Sequence, residues 1–129
     1  MPTHCTAVGK VLLAHDDDLR RRVLAAPLPR LTPHTIVAPG LLRRQLAVVT
    51  AHGVAFEHEE SALGLACVAG PVFGAGGELA AAISITGPTS RFRPEAHGDV
   101  VRATASAISA TLARSGRGDA QARQQIQDT

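Results

Sequence analysis

Two short apolar segments joined by a glycine-rich stretch constrain the fold of this chain more than any other feature. Residues 65–73 and 78–87 both have the length of a strand, and the Gly-Ala-Gly-Gly stretch at 74–77 can adopt the positive φ angles of a tight connection. This pattern predicts an antiparallel hairpin. With a loop of four residues, Phe73 is expected opposite Glu78, and Cys67 opposite Ser84.

The predicted hairpin has two unlike faces. Side chains alternate along a strand, so Cys67, Ser84 and Thr86 fall on one face and Ile83 and Ile85 on the other. A register shift of one residue would separate Cys67 from Ser84. The polar face is either a set of small residues packed beneath a helix or one wall of a binding site, and the residues alone leave both readings open.

Composition excludes several classes of protein. The 129 residues are enough for one domain with a buried core, and much of that core must be alanine, which requires close packing of helices on the sheet. A net charge of +2 and the absence of Trp and Tyr argue against a nucleic-acid-binding or single-strand-stacking surface. Two cysteines, no signal peptide and no long apolar run predict a cytoplasmic protein without disulfides or membrane spans.

The segment after Thr6 has the pattern of a helix start. Thr6 is the expected N-cap, and Ala7, Val8 and Gly9 are the first helical residues, whose N–H groups have no partner inside a helix. With Lys10 following, this is either an anion site or an ordinary capped helix with Gly9 packed on a strand.

Weaker patterns fill in the rest of the chain. A short helix is predicted after the three aspartates at 16–18 and before Pro27. Further helices are predicted over residues 40–52 before a C-cap at Gly53, and from Pro94 onward, with an extended surface connection at 27–39. The expected domain covers residues 1–115, and the polar residues 116–129 are expected to form a disordered tail. The expected buried stripe of the last helix consists of Val100, Val101, Thr104, Ala107, Ile108, Thr111 and Leu112.

Four sequence blocks in order resemble one known family. They are HCTAVGKVLLA at 4–14, LPRLTPHTI at 28–36, GLACVAGPV at 64–72 and AISITGP at 82–88. Together they resemble the effector-binding domain of IclR-type bacterial transcription regulators, over about residues 2–114.

The resemblance implies an α+β fold similar to GAF and profilin domains, with an antiparallel sheet flanked by helices. It further implies a small organic acid as effector, a homo-oligomer (dimer or tetramer), no cofactor or metal, and transcription control through ligand-dependent oligomerisation. Carried over residue by residue, the ligand-binding positions are the backbone of Ala7, Val8 and Gly9 and the side chains of Glu57, Cys67, Ser84 and Thr86.

The chain departs from the family pattern at several points. Glu57 stands where Asp is usual and Thr86 where Ser is usual, so the pocket is expected either to be narrower or to accept a different ligand. No winged helix-turn-helix precedes Pro2, so binding to an operator is expected only through a domain absent from this sequence. The first strands of the family domain are also expected to be missing, which would leave an open sheet edge.

Three other functions stay open at this level. One is an enzyme with Cys67 as nucleophile and His58 as base. Another is a dimerisation module, or remnant, that senses no ligand. The third is a metal-binding domain, although the spacing of its candidate ligands fits no known zinc motif. Those candidates are His4, Cys5, Glu57, His58 and Cys67.

Overall fold

The structure is a computed structural model that describes the backbone of residues 2–127 and the side chains of this range except those of 117–123 and 127. The elements in chain order are helices α1 (Ala7–His15), α2 (Asp17–Ala25) and α3 (Pro39–His52), strands β1 (Ala55–His58), β2 (Leu65–Phe73) and β3 (Leu79–Pro88), a 3-10 turn (Pro94–His97) and helix α4 (Gly98–Gln127).

The strands form one antiparallel sheet in the order β1-β2-β3, with helices on both of its faces. On one face, Cys67 and Ala69 pack with Val11 of α1 and Val49 of α3. On the other face, Val68 packs against Val101 of α4. The predicted α+β architecture with a flanked antiparallel sheet is therefore confirmed, and β3 is an edge strand within the described residues.

In this core, helix α4 packs directly on the backbone of strand β2, without large side chains between them. At Gly70, on the α4 side of β2, an added Cβ would lie 3.1 Å from Val101 Cγ1 and 3.4 Å from Ala105 Cβ. The absence of a side chain lets α4 approach the sheet, as the alanine-rich composition requires.

The hairpin forms as predicted, but its register is shifted by two residues. Phe73 pairs with Leu79, and Cys67 lies opposite Thr86, whereas Ser84 lies opposite Ala69. The prediction of Cys67 opposite Ser84 was wrong because the connection is one residue longer than four and a β-bulge follows it in β3. A shift of two residues keeps each side chain on its face, so the polar face survives.

The starts and ends of the first three helices follow local rules. Thr6 caps α1 by accepting a hydrogen bond from the Gly9 N–H group at 3.0 Å. Asp16 caps α2 in the same way through the Leu19 N–H group. Helix α3 ends at Gly53, which takes the left-handed conformation at φ 78°. The cap at Thr6 and the end at Gly53 were predicted correctly, whereas α2 begins two residues earlier than predicted, with Asp17 and Asp18 inside the helix.

Helix α4 differs from the prediction in the face that it buries. Val101 and Ala105 are buried, whereas Val100, Ile108 and Leu112 are exposed. The predicted buried stripe of α4 was too wide. Helix α4 crosses the sheet at Gly70 and contacts it only through a narrow row of residues spaced four apart. The helix also continues to Gln127, where a disordered tail was expected; Ala, Gln and Arg in this segment are good helix formers. The domain boundary at 115 stays a prediction, and residues 128 and 129 lie outside the described range.

His15 at the end of α1 gives a testable pH dependence. Its ring packs edge-on against Phe73 at 5.2 Å between centroids, and burial lowers the pKa of His15 below its usual value. The unfolded chain therefore binds a proton more readily, so the contribution of His15 to stability is complete above about pH 6.5 and is lost as the pH falls. We expect urea midpoints at pH 7.5 and pH 5.5 to differ less in His15→Gln than in the parent protein. An equal difference in both proteins would contradict this.

Candidate functional site

The first wall of the candidate site is the start of α1. The Thr6 hydroxyl accepts from the Gly9 N–H group and donates to the Pro2 carbonyl at 3.0 Å. The N–H groups of Ala7 and Val8 come earlier in the same helical turn, where no carbonyl of the helix can accept from them. These two donors, at the positive end of the helix dipole, suit an anionic group.

The second wall is a row of side chains across the three strands. Glu57 of β1 pairs with Cys67 of β2, which pairs with Thr86 of β3. Residues directly opposite each other project from the same face, so a carboxylate, a thiol and a hydroxyl stand side by side. The Thr86 Oγ1 donates to Cys67 Sγ at 3.2 Å.

Glu57 is buried, with only 3 % of its surface exposed, and two hydrogen bonds fix the orientation of its carboxylate. The Ser61 hydroxyl donates to its Oε1 at 2.8 Å, and the Glu60 N–H group donates to its Oε2 at 3.3 Å. Glu59, which immediately precedes these two donor residues, takes the left-handed conformation at φ 56°, which is uncommon for a residue with a side chain. The segment therefore folds back over the Glu57 carboxylate and leaves it acceptor capacity for a ligand.

A buried ion pair joins the two walls. Lys10 of α1 is fully buried, and its Nζ donates to Glu60 Oε2 at 2.6 Å. The second oxygen, Glu60 Oε1, has no hydrogen-bond partner among the groups that the structure describes. This pair fixes the distance between the helix start and residues 57–61.

The connection at 27–39 supports the same segment from behind. The hydroxyl of buried Thr32 donates to the Glu59 carbonyl at 2.5 Å, and the hydroxyl of buried Thr35 donates to the Glu60 carbonyl at 2.6 Å. His4 Nε2 lies 2.7 Å from the Pro29 carbonyl and ties the start of the chain to this connection. The connection was expected to lie extended over the surface, but its two threonines are inside the protein because they satisfy buried carbonyls.

The walls border a partly open cavity of about 150 Å³ between α1 and the sheet, with exposed Ser84 and Thr86 on its β3 side. Its lining residues come from the start of α1, the acidic segment and the two longer strands. They are Thr6, Ala7, Val8, Glu57, Ser61, Leu65, Ala66, Cys67, Ser84 and Thr86.

Six of the seven predicted site residues lie in this lining. The exception is Gly9, whose N–H group already donates to Thr6 and which faces Thr3 instead. Sequence reasoning missed Thr6 as a lining residue, and it missed Ser61, Leu65 and Ala66. Ser61 carries no periodic signal that could have revealed it, because its position depends on the turn at Glu59.

The other cysteine, Cys5, is also buried but does not line the cavity. Cys5 is fully buried, and this burial raises the pKa of its thiol, with the charges of Glu57 and Glu60 adding to the effect and that of Lys10 opposing it. Cys5 therefore stays a neutral thiol at physiological pH.

The structure does not bring together the residues of the enzyme hypothesis. His58 follows Glu57 on β1 and so projects from the opposite face, where its Nε2 lies 2.5 Å from Glu95 Oε1. The imidazole of His58 and the thiol of Cys67 therefore project from opposite faces of the sheet. No cluster of three or more metal-ligating side chains occurs within the part of the chain that the structure describes.

The fold and the cavity define the class: a small α+β domain with a cavity between a helix start and an antiparallel sheet. Residues 1–110 match the family described as "Bacterial transcriptional regulator IclR C-terminal". The chain belongs to this family.

Comparison with individual proteins agrees with this assignment. The chain is 41 % identical over 90 residues to the HTH-type transcriptional regulator BhcR of Paracoccus denitrificans, covering 68 % of this chain and 32 % of BhcR. It is 38 % identical over 117 residues to the HTH-type transcriptional repressor AllR of Klebsiella pneumoniae, covering 87 % and 43 %. The chain thus spans less than half the length of these two transcriptional regulators.

A solved structure supports the fold. The inducer-binding domain of the transcription factor PobR from Acinetobacter, a double mutant in complex with 3-hydroxybenzoic acid, superposes with a TM-score of 0.75. The two share 30 % sequence identity over 84 % of this chain and 66 % of that one. Among the described helices of the present chain, none combines the length and hydropathy required to cross a membrane.

Proposed function

We propose that this domain senses a small organic acid for a bacterial transcription regulator. The observation that carries the proposal is the largely apolar cavity in which a helix start with two donor N–H groups faces a buried carboxylate and hydroxyls on the sheet. The PobR inducer-binding domain, similar in fold, is complexed with a carboxylic acid.

The two walls suit the two ends of such a ligand. The carboxylate of the acid would accept from the N–H groups of Ala7 and Val8. A hydroxyl or hydrated carbonyl at the other end would donate to Glu57, and Ser84 and Thr86 would donate to it. Cys67 lies between the two ends in the middle strand.

The size of the cavity narrows the ligand class. A cavity of 150 Å³ is comparable to an apolar cavity that holds benzene, so it accommodates about six non-hydrogen atoms. Glyoxylate, pyruvate and lactate have at most six non-hydrogen atoms and fit this space, whereas succinate and 3-hydroxybenzoic acid are larger and would extend beyond it. We therefore expect short aliphatic acids to bind more tightly than aromatic ones.

Calorimetry tests the proposal directly. The full chain would be titrated with glyoxylate, pyruvate, lactate, succinate and 3-hydroxybenzoate, after circular dichroism has established that the sample is folded. Binding of at least one short aliphatic acid, with 3-hydroxybenzoate weaker, is expected. If the folded protein binds none of the panel, the proposed ligand class is wrong.

Substitutions within the cavity should weaken ligand binding selectively. Glu57→Gln removes the negative charge and replaces one acceptor oxygen by a donor, whereas Ser84→Ala and Thr86→Val each remove a hydroxyl. Hydrogen bonds involving a charged group contribute roughly 1.5–3 kcal/mol, or about 10- to 150-fold in affinity for Glu57→Gln. Exposed Ser90 lies outside the cavity, so Ser90→Ala is the matched control. Unchanged affinity in all three cavity variants, with intact folding, would contradict the assignment of this site.

Self-association completes the proposal. Ile83 and Ile85 of edge strand β3 line a shallow groove with Val100 and Thr104 of α4. Exposed apolar side chains beside an unpaired edge favour association with another chain. We propose a cytoplasmic homo-oligomer whose assembly depends on the ligand and which reaches DNA through a separate helix-turn-helix domain. Sedimentation velocity with and without the bound acid tests this, since an unchanged monomer in both conditions would exclude it.

A further inference from the structure

Strand β3 has an open edge that is accessible along its whole length. It pairs with β2 on one side only, and among the described residues no strand lies on its other side. Seven of the nine residues of β2 are buried, whereas none of the ten residues of β3 is buried. An edge of this length carries enough unpaired backbone groups to hold another strand.

The register identifies the backbone groups on this open edge. The Thr89 N–H group donates to the Gly64 carbonyl, which continues the ladder between β2 and β3. In an antiparallel ladder, alternate residues direct both backbone groups toward the neighbouring strand, so the odd-numbered residues before Thr89 also face β2. The even-numbered residues therefore direct their N–H and C=O groups outward. In the regular part of the strand these are Ala82, Ser84 and Thr86.

Strand β3 lacks the features that keep exposed edges from pairing. Proteins protect such edges with charged side chains, prolines or bulges within the strand. Residues 79–87 contain no charged residue and no proline, and the shift in register lies at the start of β3, opposite Val72 and Phe73. The edge is therefore regular from Ala82 to Thr86 and can accept a further strand.

The sequence of this edge is complementary to itself about Ser84. A two-fold axis at Ser84 aligns two antiparallel copies of β3 so that Ala82 of one lies opposite Thr86 of the other. All the outward backbone groups of these residues then find partners. On the α4 face, Ile83 of each copy falls opposite Ile85 of the other, which gives two close apolar pairs.

Charges at the two ends of β3 favour the same alignment. Glu78 precedes the strand, and Arg91 and Arg93 follow it. All three are exposed, and none takes part in an ion pair within the part of the chain that the structure describes. In two antiparallel copies, Glu78 of one lies beside the turn that carries Arg91 of the other. A parallel alignment would instead bring like charges together.

We propose that two copies of this chain pair through β3 and form one continuous six-stranded antiparallel sheet. This inference rests on the self-association proposed above and assigns it to one surface. The groove beside the edge is lined by Ile83 and Ile85 together with Val100 and Thr104 of α4. The second copy covers this groove with its own isoleucines, so apolar burial adds to the backbone hydrogen bonds.

The pairing also completes the cavity. The cavity is partly open on the β3 side, where Ser84 and Thr86 are exposed. In the paired sheet, Ser84 and Ala82 of the second copy lie directly beside these two residues on the same face. Each copy therefore contributes to the open wall of the other's cavity, and acid binding and assembly are coupled.

Cross-linking of the full chain tests the alignment. In the paired sheet, Ile85 of one copy is a diagonal neighbour of Ile85 of the other, roughly 7 Å away. We expect Ile85→Cys to give a covalent dimer with a thiol-reactive linker of about 10 Å, because the linker spans this diagonal distance. Ala81 is exposed on the same face, but its two copies would be six residues, or about 20 Å, apart, so Ala81→Cys is the matched control and should stay uncross-linked.

A charge on the edge tests the surface by a second route. Ile85→Lys should raise the dissociation constant of the dimer about 10-fold or more in sedimentation velocity, because the pairing would bury a charge without a partner. Val48 is exposed on α3, so Val48→Lys is the control and should leave the dimer unchanged. Circular dichroism establishes that each variant is folded.

The outcomes separate this inference from the proposed function. A dimer that is unchanged in Ile85→Lys, or that gives no cross-link in Ile85→Cys, overturns pairing through β3 but leaves self-association intact. A parent protein that is monomeric at every concentration overturns both. Acid binding by monomeric Ile85→Lys as tight as that of the parent dimer overturns the shared cavity wall. If the chain is cross-linked as expected but binds no acid, acid sensing fails and the β3 pairing stands.

Discussion

Replacement of Lys10 by methionine is expected to lower the free energy of unfolding by about 3–5 kcal/mol. Lys10 is fully buried and pairs with Glu60, while Glu57 lies on the same segment, so the substitution leaves two buried carboxylates without a positive charge. Urea unfolding at pH 7.5 measures the effect. A methionine fills nearly the same volume, so the loss reports the charge and not a cavity.

Two further variants make this result specific to the buried pair. In Lys10→Met with Glu60→Gln, the Glu60 charge is removed as well, and a large part of the stability should return. Arg21 and Asp18 form an exposed ion pair on α2, so Arg21→Met should change stability by about 1 kcal/mol at most. Equal losses in Lys10→Met and Arg21→Met would contradict the assigned role of Lys10.

Substitution of Gly9 by alanine is expected to cost roughly 1–3 kcal/mol of stability and to weaken ligand binding. A Cβ at this position would lie 2.3 Å from the Thr3 carbonyl oxygen and 2.6 Å from Thr6 Oγ1. To relieve this overlap, residues 3–6 must move away from α1, which disturbs the N-cap and the adjoining N–H groups of Ala7 and Val8. Thermal unfolding and calorimetry with the acid that binds best measure both effects.

Gly40 offers a matched control for Gly9. It also lies in the first turn of a helix, but an added Cβ would meet no atom within 4 Å. Gly40→Ala should therefore leave stability unchanged or raise it by up to about 1 kcal/mol, since alanine favours the helical state. If both substitutions have the same effect, the close approach at Gly9 is not what constrains that position.

Local patterns in the sequence were sufficient for the elements that build the two walls. The cap at Thr6, the end of α3 at Gly53 and the strand Leu65–Phe73 depend on neighbouring residues only, and each was predicted correctly. The register of the hairpin was not, because a bulge in β3 costs little energy and leaves no clear signal in an alanine-rich strand. The polar face survived this error because the pleat repeats every two residues.

The face of α4 shows a second limit. Valine and isoleucine at Val100 and Ile108 suggested burial, yet the sheet contacts α4 through Val101 and Ala105. Which side of a helix is buried depends on where the facing strand lacks a side chain, in this protein at Gly70. That information belongs to the pairing of two distant segments and cannot be read from the helix alone.

The sequence by itself determined most element types, because caps, turns and strand alternation act over a few neighbouring residues. The family resemblance, carried by four sequence blocks, added Glu57 to the residues that meet at the cavity. Only the tertiary structure decided that Lys10 pairs with Glu60, fifty residues away. It also decided that the two buried threonines of the connection at 27–39 support the carbonyls of residues 59 and 60. The position of Cys67 between Glu57 and Thr86 likewise depends on strand pairing. Those contacts depend on how the helices dock on the sheet. Docking is driven by burial of apolar surface, which is not directional, so the sequence does not specify in advance which polar groups it brings together.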